Sequence, residues 1–100
     1  MSPVGIGREA SWEGLLAGRS GIDLIKSFDA SNHSTQIAAE IDEFDPENYM
    51  DRKRARRMDR FAQLACAASL EAMSHAGITI EDVDPTRFAV VIGSGVGGIK

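Results

Sequence analysis

Apolar positions along the chain switch between helical and strand spacing, and the switches mark out the elements. Residues 8 to 17, REASWEGLLA, put Trp12, Leu15 and Leu16 at the i, i+3, i+4 spacing of one helix face, with Gly18 following as a C-cap. Residues 20 to 34 mix Ser, Asp, Asn, Gly and His with isolated Ile22, Ile25 and Phe28, which predicts a long loop held by buried anchors. In QIAAEI, residues 36 to 41, Ile37, Ala39 and Ile41 recur at period two, the pattern of a short half-buried strand. Asp45-Pro46-Glu47 then combines a capping acid, Pro at the first helical position and an acid in the first turn. It predicts a helical turn over residues 46 to 50, with Asp51 capping a second start.

The strongest helical pattern covers residues 58 to 76, where Met58, Phe61, Ala62, Ala65, Ser69, Ala72, Met73 and Ala76 share a face. Between Phe61 and Leu70 only Gln63 and Ser69 are polar, so the helix is expected to be buried over most of its girth. Its six Ala suit close packing in an interior, and Gly77 ends it with Ile78 positioned to fold back on Met73. Residues 79 to 86 read as a polar connection holding a single helical turn. Phe88 to Ile92, FAVVI, is a continuous apolar run rich in β-branched residues, as in a strand covered on both faces of a parallel sheet. A glycine-rich turn begins at Gly93.

Composition narrows the class. One hundred residues allow one domain, and 43% hydrophobic with 26% charged residues is close to the globular average, which argues against disorder, collagen and coiled coil. A single Cys allows no internal disulfide and fits a reducing compartment. No apolar run reaches the roughly 18 to 20 residues of a membrane span, and the start MSPVGIGREASWEG lacks the layout of a secretory signal. A soluble, cytoplasmic α/β protein without membrane contact is expected. The net charge of −4 argues against the chain as a whole binding nucleic acid.

That average hides an uneven distribution. Residues 51 to 60, DRKRARRMDR, hold six of the eleven basic side chains against two acids, a surplus of about four positive charges. The remainder of the chain then carries about eight net negative charges. If residues 52 to 60 are helical, Lys53, Arg56, Arg57 and Arg60 line one face at i, i+3, i+4, i+7. Such a face suits an acidic protein surface or a phosphate group, or is a solvated helix end. No aromatic platform accompanies it, which weakens a nucleic-acid reading.

Other chemistry is sparser. Gly93-Ser94-Gly95-Val96-Gly97-Gly98 matches G-x-G-x-x-G after a predicted strand, so dinucleotide binding stays open beside a tight strand-to-loop turn. A phosphate loop of the G-x-x-x-x-G-K type is ruled out because Ile99 takes the Lys position. Cys66 lies in the apolar helix away from charge and reads as a small core hydrophobe. His33 and His75 lack partners at metal-ligand spacing, so no metal site is expected, and His75 reads as a favourable cation near a helix C-terminus. The scattered acids form no catalytic pair.

Several stretches together resemble the N-terminal part of β-ketoacyl-[acyl-carrier-protein] synthases, most closely the type II enzymes. They begin with Ser2-Pro3-Val4-Gly5, Trp12, LLAGRSGI at 15 to 22 and FDAS at 28 to 31. IAAEIDEFDPENYMDRK at 37 to 53, RRMDRFAQLA at 56 to 65, AGI at 76 to 78 and VIGSGVGGI at 91 to 99 complete the set. The order and spacing follow the family across nearly the whole chain.

The resemblance implies a thiolase-like α/β fold with layers stacked α-β-α-β-α, of which this is the N-terminal part only. It also implies a homodimer, no cofactor, and an acyltransferase of fatty acid biosynthesis. In that reaction an acyl group moves from acyl carrier protein to a Cys of the synthase. Malonyl-carrier then loses CO2, and the carbanion attacks the acyl thioester. The family's nucleophilic Cys, two catalytic His and Lys lie beyond this sequence; Cys66, His33 and His75 do not correspond to them. Residues 1 to 100 thus read as an incomplete N-terminal part of a synthase domain, with Met1 an internal or misassigned start, and as inactive alone. By the same resemblance Lys53, Arg56 and Arg57 match the docking face for the acidic carrier protein, and Val96 matches the apolar residue bordering the acyl pocket. Val stands there where Ile is frequent in the family, which bears on room for longer acyl chains. Two other readings stay open: a noncatalytic, chain-length-factor-like module that binds an acidic partner, and a dinucleotide-binding α/β domain.

Overall fold

The segment with the first apolar spacing forms α1 (Arg8–Leu16). Gly7, at φ 84°, turns the chain into it, and Gly18, at φ 64°, ends it. There the Gly18 N–H donates to the Leu15 carbonyl and Arg19 N–H to that of Gly14, the paired bonds of a Schellman close. The computed structural model describes residues 1–98. It divides into two compact units, Met1–Phe44 and one that begins at Asp45.

In the first unit, α1 packs by its small residues. Ser11 is half-buried and Gly14 buried, whereas Trp12 (60% exposed), Leu15 and Leu16 face outward, the reverse of the expected face. The cause is the Ser2–Gly5 turn, in which Ser2 and Gly5 exchange backbone hydrogen bonds of 3.0 and 3.1 Å. The Ser11 hydroxyl donates to the Gly5 carbonyl at 2.6 Å. The Val4 carbonyl stands 2.5 Å from where a Cβ on Gly14 would be, so only glycine admits this approach.

Strand β1 (Asp23–Leu24) pairs antiparallel with β2 (Ile37–Ala38), Asp23 opposite Ala38 and Leu24 opposite Ile37. The region expected to be loop thus contributes a strand. Of its expected anchors only Ile25 is half-buried; Ile22 and Phe28 are exposed and Ala30 is buried in their place. Phe28 instead meets the edge of His33, ring centres 5.6 Å apart. In and after β2, Ala38 and Glu40 are half-buried while Ile37 and Ala39 are exposed, opposite to the apolar alternation, although Ile41 is half-buried as that alternation expects. Glu40 explains it: its carboxylate accepts from the Lys26 N–H at 2.7 Å and from the Ser27 N–H at 3.4 Å, and also from the Ser27 hydroxyl. A polar anchor fixes the register, and a one-residue slip exchanges the faces.

The second unit opens as its caps foretell. Asp45 accepts from the Glu47 N–H at 2.9 Å over a 3-10 turn (Pro46–Asn48), and Asp51 accepts from the Arg54 N–H at 2.9 Å to start α2 (Arg52–Ala55). The helix expected over 52 to 60 does not continue. Arg57 and Met58 close a tight turn onto the Arg54 and Ala55 carbonyls, and Asp59 is extended (φ −67°, ψ 156°). The next helix, α3 (Arg60–Ala76), therefore starts at residue 60 rather than 58 and takes Arg60 out of the row. Asp favours the extended position before a helix over its interior, which the apolar period does not register.

Gly77, at φ 64°, ends α3, with the Ile78 N–H donating to the Met73 carbonyl at 3.2 Å. A 3-10 turn (Ile80–Asp82) follows, capped by Asp82, whose carboxylate accepts from the Thr79 N–H and hydroxyl, both at 2.8 Å. Ala67 is wholly buried, but Phe61 and Leu70 are exposed, so α3 is half-covered rather than enclosed. The Pro46–Asn48 turn packs on it and is too short to cover its girth.

Phe88–Ile92 forms no strand, and Val91 is 94% exposed. A strand needs at least one hydrogen-bonding neighbour, and one in a parallel sheet also needs both faces covered. Among the described residues the sheet consists of β1 and β2, so these residues do not build the expected layered stack.

Candidate functional site

Asp51 holds the start of α2, and the single turn it caps carries the cations outward. Lys53 and Arg56 stand three residues apart across that turn, and Arg57 follows on the tight turn beyond it. All three are exposed, and among the described residues none has an acidic partner. Arg52 differs, pairing with Glu47 at 3.5 Å. The structure thus brings Lys53, Arg56 and Arg57 together and leaves their charge unneutralised. Such a group attracts carboxylates or phosphates over about one Debye length, roughly 8 to 10 Å.

Gln63 belongs to this corner. Its side-chain amide donates to the Ala55 carbonyl at 2.8 Å and to the Met58 carbonyl at 3.3 Å, tying the turn to α3. The sequence signals it only as one of two polar residues in an apolar stretch. The other, Ser69, bonds back to the Ala65 carbonyl at 2.8 Å within the helix.

Val96 is exposed in an irregular glycine-rich segment, apart in sequence from the cations. Gly97 has φ 78° and its N–H donates to the Ser94 hydroxyl at 3.1 Å. A Cβ on Gly98 would overlap the Asp59 carboxylate, and a carboxylate there is the wrong charge for a phosphate cradle. Ile99, on which the phosphate-loop test and the end of the family motif fall, lies outside the described residues.

Cys66 is a half-buried free thiol and His75 lies in the last turn of α3. Among the described residues no group of three or more His, Cys, Asp or Glu is placed to hold a metal ion, and no helix is long and apolar enough to cross a membrane. Within the first unit lies a cleft of about 540 Å³ that the sequence did not signal, and none of the candidate residues lines it. Among its charged lining residues, Lys26 reaches Asp23 at 3.1 Å and Asp42 at 3.4 Å. The Asp23 bond and charge hold the Lys26 ammonium above its usual pKa. The Leu24 N–H, and then Lys26, hold Asp23 below the usual carboxylate value. The Ser27 hydroxyl, and then the Lys26 N–H, do the same for Glu40.

The candidate residues thus comprise an exposed cationic turn after α2 and an exposed valine in a glycine-rich segment. The chain belongs to the β-ketoacyl synthase family: the family's N-terminal domain matches residues 1–100. It is similar to the 3-oxoacyl-[acyl-carrier-protein] synthase 2 of Vibrio cholerae (45% identical over 100 residues) and of Vibrio harveyi (46% over 99 residues). The Synechocystis protein of the same name is 39% identical over 100 residues. These matches cover 99 to 100% of this chain and 24% of each relative.

Proposed function

We propose that this chain is part of a condensing enzyme of fatty acid biosynthesis, an acyltransferase that elongates acyl chains carried on acyl carrier protein. The observation that carries the reading is the cluster of exposed Lys53, Arg56 and Arg57, which have no acidic partner among the described residues, within a chain whose residues 1–100 match the family. These three form the docking face for the acidic carrier protein, steering its approach electrostatically. Val96 borders the acyl pocket, and the whole enzyme works as a cytoplasmic homodimer. A Cys thiol elsewhere in that enzyme takes the acyl group and releases the carrier thiol. Malonyl-carrier then loses CO2, and its C2 carbanion forms the new carbon–carbon bond as the Cys thiolate leaves. The 100-residue chain is inactive alone.

The test supplies the full-length protein containing this segment with acyl- and malonyl-carrier and measures CO2 release and product length. Elongation by two carbons is the expected outcome. Carrier binding without elongation supports a noncatalytic module instead, and tight NAD binding without carrier binding overturns the proposal.

A further inference from the structure

Four residues make a poor helix by themselves, because the first turn costs more order than its hydrogen bonds return. Yet α2 and the turn after it carry every residue of the proposed docking face. Asp51 supports one end. At the other end Ala55 is buried, and its carbonyl accepts from the Met58 N–H at 3.2 Å and from the Gln63 amide at 2.8 Å. The Met58 carbonyl accepts from the same amide at 3.3 Å. These two carbonyls bracket Arg56 and Arg57. Gln63 sits on the first turn of the 17-residue α3, so the donor is held by the longest element in the chain. Its side chain is uncharged and half-buried, away from the exposed cations.

We propose that Gln63 is a positioning residue for carrier-protein docking: its amide fixes the Arg56–Arg57 turn against α3, so that Lys53, Arg56 and Arg57 meet an acidic partner as one preorganised group. Preorganisation lowers the ordering cost of binding and leaves the charges themselves unchanged. The inference rests on the docking reading above.

The experiment uses the full-length protein and compares wild type, Gln63→Met and the pair Arg56→Glu/Arg57→Glu. Met keeps the length and volume of Gln and removes the donor. Two readouts are taken: the Kd for holo acyl carrier protein, and turnover of a short acyl-pantetheine thioester that has no protein to dock. Gln63→Met is expected to weaken carrier binding about five- to tenfold, the scale of one lost hydrogen bond, and to leave thioester turnover within about twofold. Wild-type carrier affinity in Gln63→Met, alongside lost affinity in the charge reversal, overturns the positioning role alone. Unchanged affinity in both overturns the docking reading and the inference with it. Equal losses with carrier and with thioester mark a general structural role and also overturn it. Where Gln63→Met does not fold, Gln63→Leu, which also removes the donor and adds no charge, is read against the same outcomes.

Discussion

Single residues decide this structure where two physical preferences conflict. Gly14 is the clearest case, because Ala is worth up to about 1 kcal/mol more than Gly in a helix interior. Here the Val4 carbonyl stands 2.5 Å from the missing Cβ, so backbone would have to move. Overpacking of that kind costs about 1 to 3 kcal/mol and outweighs the propensity gain. Gly14→Ala is therefore expected to lower the urea midpoint although it improves helix propensity. Gly18→Ala meets open space and bears only the left-handed backbone cost of about 1 to 2 kcal/mol. A Gly14→Ala variant more stable than wild type would contradict the packing described for α1. The apolar spacing of Trp12, Leu15 and Leu16 could not reveal this, because the contact is made by a residue with no side chain.

Elements with local causes were legible in the sequence, and elements with distant causes were not. The caps at Asp45 and Asp51 and the stop at Gly77 are set within a few residues, and each forms as read. The break at Asp59 escaped because apolar periodicity runs through it. Phe88–Ile92 reads as a strand by composition but has no neighbouring strand among the described residues to make it one. The β1–β2 pairing was half-visible, since Glu40 rather than the Ile residues sets its register. This last point has a pH signature. The folded-state pKa of Glu40 lies below its ordinary 4.5, so its contribution is complete above the unfolded value and is lost as pH falls through the folded one. The difference in urea midpoint between wild type and Glu40→Gln is expected to be constant near neutrality and to shrink below pH 4.5. A difference independent of pH would contradict the role given to that carboxylate.

At the scale of the whole chain, the informative quantity is where the charge lies rather than its total. A net −4 conceals a ten-residue segment with six cations, and the structure leaves Lys53, Arg56 and Arg57 without acidic neighbours among the described residues. The candidate docking face was therefore readable as composition, while its confinement to α2 and the turn after it, and its support by Gln63, required the fold. The match along residues 1–100 gives the chain its family, and the proposed partner rests on the resemblance to that family together with the charge of the face. The most direct measurement is the Kd of the full-length protein for acyl carrier protein over a salt series, wild type against Arg56→Glu/Arg57→Glu. Wild-type affinity is expected to fall as salt rises, and the double reversal to bind about tenfold or more weakly at low salt with no steeper salt dependence. Equal affinity of the two proteins at low salt would contradict the assignment of this turn as the docking face.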